Sequence, residues 1–179
     1  MNVRIQSSLL AAVATLAIAA CAEPITVGVP APRPVRAADA EVVSVMHTAN
    51  EGEIMTSQTA LQRASSSAVR QFAQRMITDH TALNERLSLL PIVPGPSNVA
   101  NQLDATARET VEVLQRLDGH AFDVAYMNSQ VDLHQYTLGA LDGYLIPSVS
   151  DPALRGELEA ARVIIAEHLA RAREIRDSL

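Results

Sequence analysis

The sequence predicts an all-α protein: an antiparallel bundle of four long helices, with an extra short helix before the third. Three observations carry this. From residue 39 onward, apolar residues recur every three or four positions, and no stretch alternates with the period of two that marks a strand. The chain is rich in Ala and Leu, while its only aromatic residues are Phe72, Phe122 and three Tyr, which suits helices better than a β-sandwich. Breaks rich in Pro, Gly and Ser cut the periodic pattern into helix-length pieces. A chain of 179 residues is enough for one domain with a real core.

The first 20 residues, MNVRIQSSLLAAVATLAIAA, read as an address. Arg4 is followed by an apolar run from Leu9 to Ala20 and by small residues, the pattern of a secretory signal. The run is shorter than the ~20 residues a permanent membrane span needs. Ile18-Ala19-Ala20-Cys21 resembles the bacterial lipobox, in which the signal is cut before a Cys that is then acylated. Cys21 is the only cysteine and has no intramolecular disulfide partner, so lipidation accounts for it better than a staple does. Residue 22 is Ala rather than Asp, which by resemblance to enterobacterial lipoproteins points to the outer membrane. The expected location is therefore its periplasmic side. Residues 21–38 then form a tether, since Pro24, Pro30, Pro32 and Pro34 keep the segment extended.

Asp39 is placed to cap a first helix reaching about Ala64. Ser65-Ser66-Ser67 reads as a turn, and a second helix runs to Leu90. The segment PIVPGPSN, residues 91–98, breaks the chain. The extra helix spans Val99 to Leu117 and ends at Asp118-Gly119, in the manner of a glycine C-cap. The third core helix starts near Ala121 and stops before Pro147. Ser150-Asp151-Pro152 opens the fourth, with Pro in its first turn, and this helix runs to the end. Short first-to-second and third-to-fourth connections imply antiparallel pairs.

At 100° per residue each core helix carries one ionisable group in the middle of its apolar stripe. Glu53 interrupts Val42, Met46, Ala49, Thr56 and Ala60, and His80 interrupts Val69, Ala73, Met76, Leu83 and Leu87. His134 lies among Met127, Val131, Leu138, Leu141 and Leu145, and His168 among Leu154, Ala161, Ile164, Ala172 and Ile175. His47 and His120 fall off the stripes. Glu53 and His80 each lie ~20 Å from the serine turn between them, and His134 and His168 lie at nearly the same height from theirs. If both turns sit at one end, the four groups share one layer. Isolated buried charges are very costly, so they should meet one another or a ligand.

The runs ALQRASSSAVRQFAQRMITDH and LDGHAFDVAYMNSQVDLH, with the late helix bearing His168, resemble the bacterial envelope family called domain of unknown function 4142. The resemblance covers nearly all of residues 39–179. It implies a ferritin-like four-helix bundle, a signal peptide or lipid anchor, and recurrent polar positions at Glu53, His80, Asp123, His134 and His168. It implies no established activity.

A ferritin-like fold invites a di-iron site, and the residues argue against one. Such sites place a Glu three positions before a His on two helices, and those positions here are Ile77, Val131 and Ile165. One carboxylate with three imidazoles can hold a single Zn, Mn, Fe or Cu ion, but no carboxylate-bridged pair. The alternative is a metal-free hydrogen-bonded network that fixes helix register. Asp79, beside His80 but off the stripe, reads as a solvated or supporting carboxylate, and Asp123 as a cap for its own helix start.

Other chemistry finds little support. The net charge is −6 and all 14 basic residues are Arg without a basic run, so nucleic acid is not an expected partner. No phosphate loop, nucleophile elbow or zincin motif is present. The sequence thus leaves two functions open, metal binding in the envelope or a structural and interaction module. The anchoring expectation has a direct check: Cys21→Ser should release the protein from the membrane fraction or stall its processing. Unchanged partition, together with an unacylated wild-type mass, would reject it.

Overall fold

The computed structural model describes the backbone of residues 35–179 and the side chains from residue 38 onward. The signal segment, Cys21 and the body of the tether lie outside the described residues. The chain forms helices α1 (Val35–Arg63), α2 (Ser67–Ser88), α3 (Asn98–Leu114), α4 (Gly119–Ala140), α5 (Ile146–Ser148) and α6 (Pro152–Ser178), and a π-helical turn over Leu141–Leu145 joins α4 to α5. Among the described residues there is no strand. None of their helices is long and apolar enough to cross a membrane.

Local signals set most boundaries. Ser66 caps α2, its hydroxyl accepting from Val69 N–H, and Asp151 caps α6 by accepting from the N–H groups of Ala153 and Leu154. Pro152 occupies the first turn of α6, where a missing N–H costs nothing. Gly119 begins α4 at φ 60°, a left-handed conformation that favours glycine.

Several expected boundaries move: α3 ends at Leu114, short of Leu117, so Gly119 opens α4 instead of capping α3. Helix α1 begins at Val35, directly after Pro34, so Asp39 lies inside it and caps nothing at its start. The third core helix does not stop before Pro147. Ile146 N–H bonds to Leu141 O in the wider π turn, and Pro147 enters the following helical turn.

Hydrogen bonds and ion pairs between elements give the direction of the long helices. Asn50 meets His80 and only residues 64–66 separate α1 from α2, so these two are antiparallel; Ser57 meets Tyr126 while Glu53 meets Gln130, so α1 and α4 are too. Arg75 and Arg86 pair with Glu167 and Glu157, which orders α2 against α6, and Asp142 and Gln135 pair with Arg162 and Arg173, which orders the α4 arm against α6. Helix α3 instead runs parallel to α1. Gly95 N–H bonds to Ala40 O near the start of α1, and Arg63 at its end donates to Leu117 O. Midway, a Cβ built on Gly52 would lie 3.0 Å from that of Ala107, so α3 rests closely on α1 there.

Helix α3 is therefore the crossover that carries the chain from the far end of α2 back along α1 to the start of α4. One consequence corrects a sequence expectation: the two serine turns lie at opposite ends of the bundle. Ser150 N–H and Oγ donate to Asp39 near the start of α1, at 2.8 and 2.7 Å. Ser65 N–H and Ser66 N–H donate to Asp123 near the start of α4, at 3.1 and 2.9 Å. The polar groups still share a layer, because each lies near mid-height whichever end is counted from.

That layer divides the core. On one side stand Val42, Met46, Leu83, Leu87, Leu145, Leu158 and Ile165; on the other, Ala60, Phe72, Met76, Phe122, Tyr126, Met127 and Ala172. The second helix buries the stripe expected of it. The fourth buries Ile165 rather than Ile164, and the first buries Asn50 in place of the half-buried Ala49.

The aspartate clamps should carry measurable stability. Asp123 is almost fully buried and accepts from Ser65 N–H, Ser65 Oγ and Ser66 N–H of the partly exposed turn, so Asp123→Ala should cost ~1–2 kcal/mol in urea denaturation. Asp118→Ala should cost under ~0.5 kcal/mol, since that side chain is exposed and makes no cap bond.

Candidate metal centre

Helices α2, α4 and α6 each turn one imidazole into the middle of the bundle. His80, His134 and His168 are buried, with ring centroids 5.5 to 6.1 Å apart. One ring nitrogen of each faces outward to an acceptor. His80 Nδ1 lies 2.8 Å from Asn50 Oδ1, His134 Nδ1 2.8 Å from Gln130 O, and His168 Nε2 2.7 Å from Asp79 Oδ2. A backbone carbonyl and a carboxylate can only accept. The Asn50 oxygen accepts as well, because its amide nitrogen donates to Asn84 Oδ1 at 2.7 Å. In the uncharged rings the proton therefore sits on the outward nitrogen.

The inward nitrogens, His80 Nε2, His134 Nε2 and His168 Nδ1, are then three lone pairs. They are buried without a hydrogen-bond partner, and the three rings bring one nitrogen each into a triangle whose sides are no longer than 4.8 Å. An ion at the centre of that triangle is at most about 2.8 Å from each, so shifts under ~1 Å bring them to the ~2.0–2.1 Å of a metal–imidazole bond. The outer acceptors complete the arrangement that orients metal-bound histidines, each fixing a tautomer and a ring plane.

The remaining sequence candidates take other places. Glu53 is buried in the same layer but outside the three-nitrogen set. Its Oε2 accepts from Gln130 Nε2 at 2.8 Å, and its Oε1 lies 3.6 Å from His134 Nδ1, the nitrogen turned away from the trio. It stands behind a ligand position rather than occupying one. Asp79 is 27% exposed and holds His168 from the solvent side, with Arg75 bridging it to Glu167. Asp123 is not a cap for its own helix and does not reach the layer; it holds the Ser65–Ser66 turn. His47 pairs with Glu51 at the surface, and His120 is exposed.

Sequence reasoning missed Asn50, Asn84 and Gln130. Asn50 lies three residues before Glu53 and Gln130 four before His134, so both share a stripe with a recognised site residue. Uncharged amides on a stripe are easily passed over as surface residues, and that spacing was the available signal.

Burial governs the electrostatics. The His80 pKa is pushed well below its ordinary 6.5 by desolvation, reinforced by His134 and His168. That of His168 is lowered by desolvation, against the opposing bond to Asp79. Burial raises the Glu53 carboxyl, against the opposing pull of His134 and Gln130. Burial likewise raises the Tyr126 phenol, whose hydroxyl pairs with Ser57 at 2.8 Å.

A match to residues 26–175 settles the family. The chain belongs to the domain of unknown function family DUF4142. The matched region takes in the whole polar layer of this DUF4142 chain and begins upstream of α1. No curated protein and no solved structure matches the chain.

The histidine shifts set a pH dependence for the metal-free protein. Below pH ~6.5 the unfolded chain takes up protons that His80 and His168 refuse when folded, so stability falls with falling pH. Each contributes a slope of up to ~1.4 kcal/mol per unit until its folded pKa is reached. Glu53 acts in the opposite sense, with stability falling as pH rises from 4.5 through its raised pKa. Urea melts at stepped pH should show the acid limb, and His80→Leu should flatten it.

Proposed function

We propose that this protein binds a single borderline metal ion between α2, α4 and α6, in a ferritin-like bundle held to the bacterial envelope by a lipid on Cys21. One observation carries the metal reading: three buried imidazole lone pairs converge with no donor among them. Desolvation opposes satisfying them by protonation at His80 and His168, and a cation that accepts lone pairs does so directly. An all-nitrogen set suits Zn, Cu or Fe, while Mn prefers oxygen ligands, and the geometry suits one ion rather than two. Glu53 is close enough to orient His134 and to balance part of the charge. The crossover helix α3 supports the ferritin-like topology. The signal-like segment, the lipobox and the family resemblance support the envelope location.

A second reading rests on the Asn84–Asn50–His80 chain and the Gln130–Glu53 bond, which tie helices together without any ion. On that reading the layer is a register device in a structural or interaction module. It leaves the three inward nitrogens unexplained.

Calorimetric titration of Zn, Cu, Fe and Mn into the metal-free chain separates the two. The metal reading expects one site per chain, loss of binding in His134→Ala, and affinity that falls with pH only below 6.5, as the lowered folded-state pKa values of His80 and His168 are approached. At a hundredfold excess over Kd it expects ~2.7 kcal/mol of added stability. Replacing Glu53, His80, His134 and His168 together with Leu or Met should abolish binding while sparing the fold, as apolar replacement of buried polar sets often does. Equal, weak binding by wild type and this variant would reject the metal centre.

A further inference from the structure

The two ends of the bundle differ in chemistry. At the end where α1 begins, the chain has no charged residue between Arg86 and Asp104, a stretch that includes the α2–α3 connection, and none between Asp142 and Asp151, around the α5–α6 corner. This end exposes large apolar side chains: Leu89 at 84%, Val93 at 83% and, on its flank, Tyr144 at 58%. Among the described residues, the charged groups nearest the start of α1 are turned to the protein. Asp39 is buried under Ser150, Arg155 donates to the carbonyls of Ile146 and Val149, Asp151 caps α6, and Glu41 takes the Ser97 hydroxyl. The opposite end is polar, with Arg116, Asp118 and His120 all exposed.

The loop carrying Leu89 and Val93 is also held in place. Gly95 N–H bonds to Ala40 O, and Ser44 Oγ donates to Gly95 O at 2.6 Å, so the connection is pinned to the first turns of α1. Its apolar side chains are thus presented outward on a fixed base. Exposed apolar side chains on a charge-free connection at one end of an acidic protein are the pattern of a surface that something covers.

We propose that this end seats on a lipid bilayer, with Leu89 and Val93 entering the interfacial region. This rests on the anchored reading given above. What selects a bilayer over other occupants is where the chain enters the domain: α1 starts at this end, and Cys21 precedes Val35 by only a short Pro-containing segment. A tethered domain presents its attached end to the membrane at high effective concentration, so even a weak apolar contact is populated. The connection that carries Leu89 and Val93 holds no charged residue, which suits anionic headgroups that the rest of this acidic chain would meet with repulsion.

The chain contains no tryptophan, so one introduced ring reports one position. Val93→Trp and, at the opposite end, Gln115→Trp would be prepared in the full acylated protein. Each would be reconstituted in phosphatidylethanolamine–phosphatidylglycerol vesicles with and without brominated lipid. The expected result is blue-shifted emission at position 93, quenched several-fold more strongly by the brominated lipid than at position 115. Adding Leu89→Glu should abolish the difference while the protein still floats with the vesicles. Equal quenching at both positions, or none at 93 in a protein that floats, would overturn the seating and leave the anchor standing. A blue shift at 93 without bromine quenching, growing with protein concentration, would assign the end to a second copy and overturn it as well. A chain that does not float would reject the anchored reading and this proposal together.

Discussion

The cost of burying polar groups in the middle of the bundle is the constraint on which the rest of this structure depends. A layer containing Asn50, Glu53, His80, Gln130, His134 and His168 cuts the apolar core in two, and an unpaired member of such a layer loses its hydration with nothing in return. Register between α1, α2, α4 and α6 is therefore narrowly set. A slide of one helix by a turn would break Asn50–His80, Glu53–Gln130 or His168–Asp79, and would place a polar group against leucines. Apolar packing alone tolerates such slides far better.

The two hairpins meet this constraint differently. Asp39 and Asp123 stand the same distance apart in sequence as Ser66 and Ser150, and each aspartate holds the turn of the opposite hairpin. At that same offset His134 answers to Asn50 and His168 to Asn84. In the first hairpin the amide pair satisfies itself, Asn50 donating to Asn84. In the second the imidazole pair turns its hydrogens outward and leaves its inner lone pairs open, and His80 of the first hairpin adds a third. The bundle is thus nearly symmetric in its clamps and asymmetric in its chemistry, and the asymmetry is where a cation fits.

Much of this was legible residue by residue. The stripes of α2, the caps at Ser66 and Asp151, and the central position of Glu53, His80, His134 and His168 all follow from periodicity and turn chemistry, which act over a few residues. Other features were not legible. The role of Asp123 depends on a turn some sixty residues earlier, and its sequence surroundings suit a local cap equally well. The π turn before Pro147 widens the helix in a way that no local propensity announces. Which stripe position is truly innermost, Ile165 rather than Ile164, depends on the rotation of α6 against its neighbours.

The sequence by itself determined an all-helical domain with one ionisable group near the middle of the apolar stripe of each core helix. It determined also that these groups had to find partners, because hydrophobic spacing and desolvation are properties of the chain. Only the tertiary structure decided which groups converge. Three imidazoles share one point while Glu53 stands behind His134, and the crossover α3 puts the two turns at opposite ends. The physical reason is one of range. Periodicity says which way a side chain faces from its own helix axis, but the hydrogen a ring nitrogen keeps is set by the acceptor that another helix, or the turn below, brings to it.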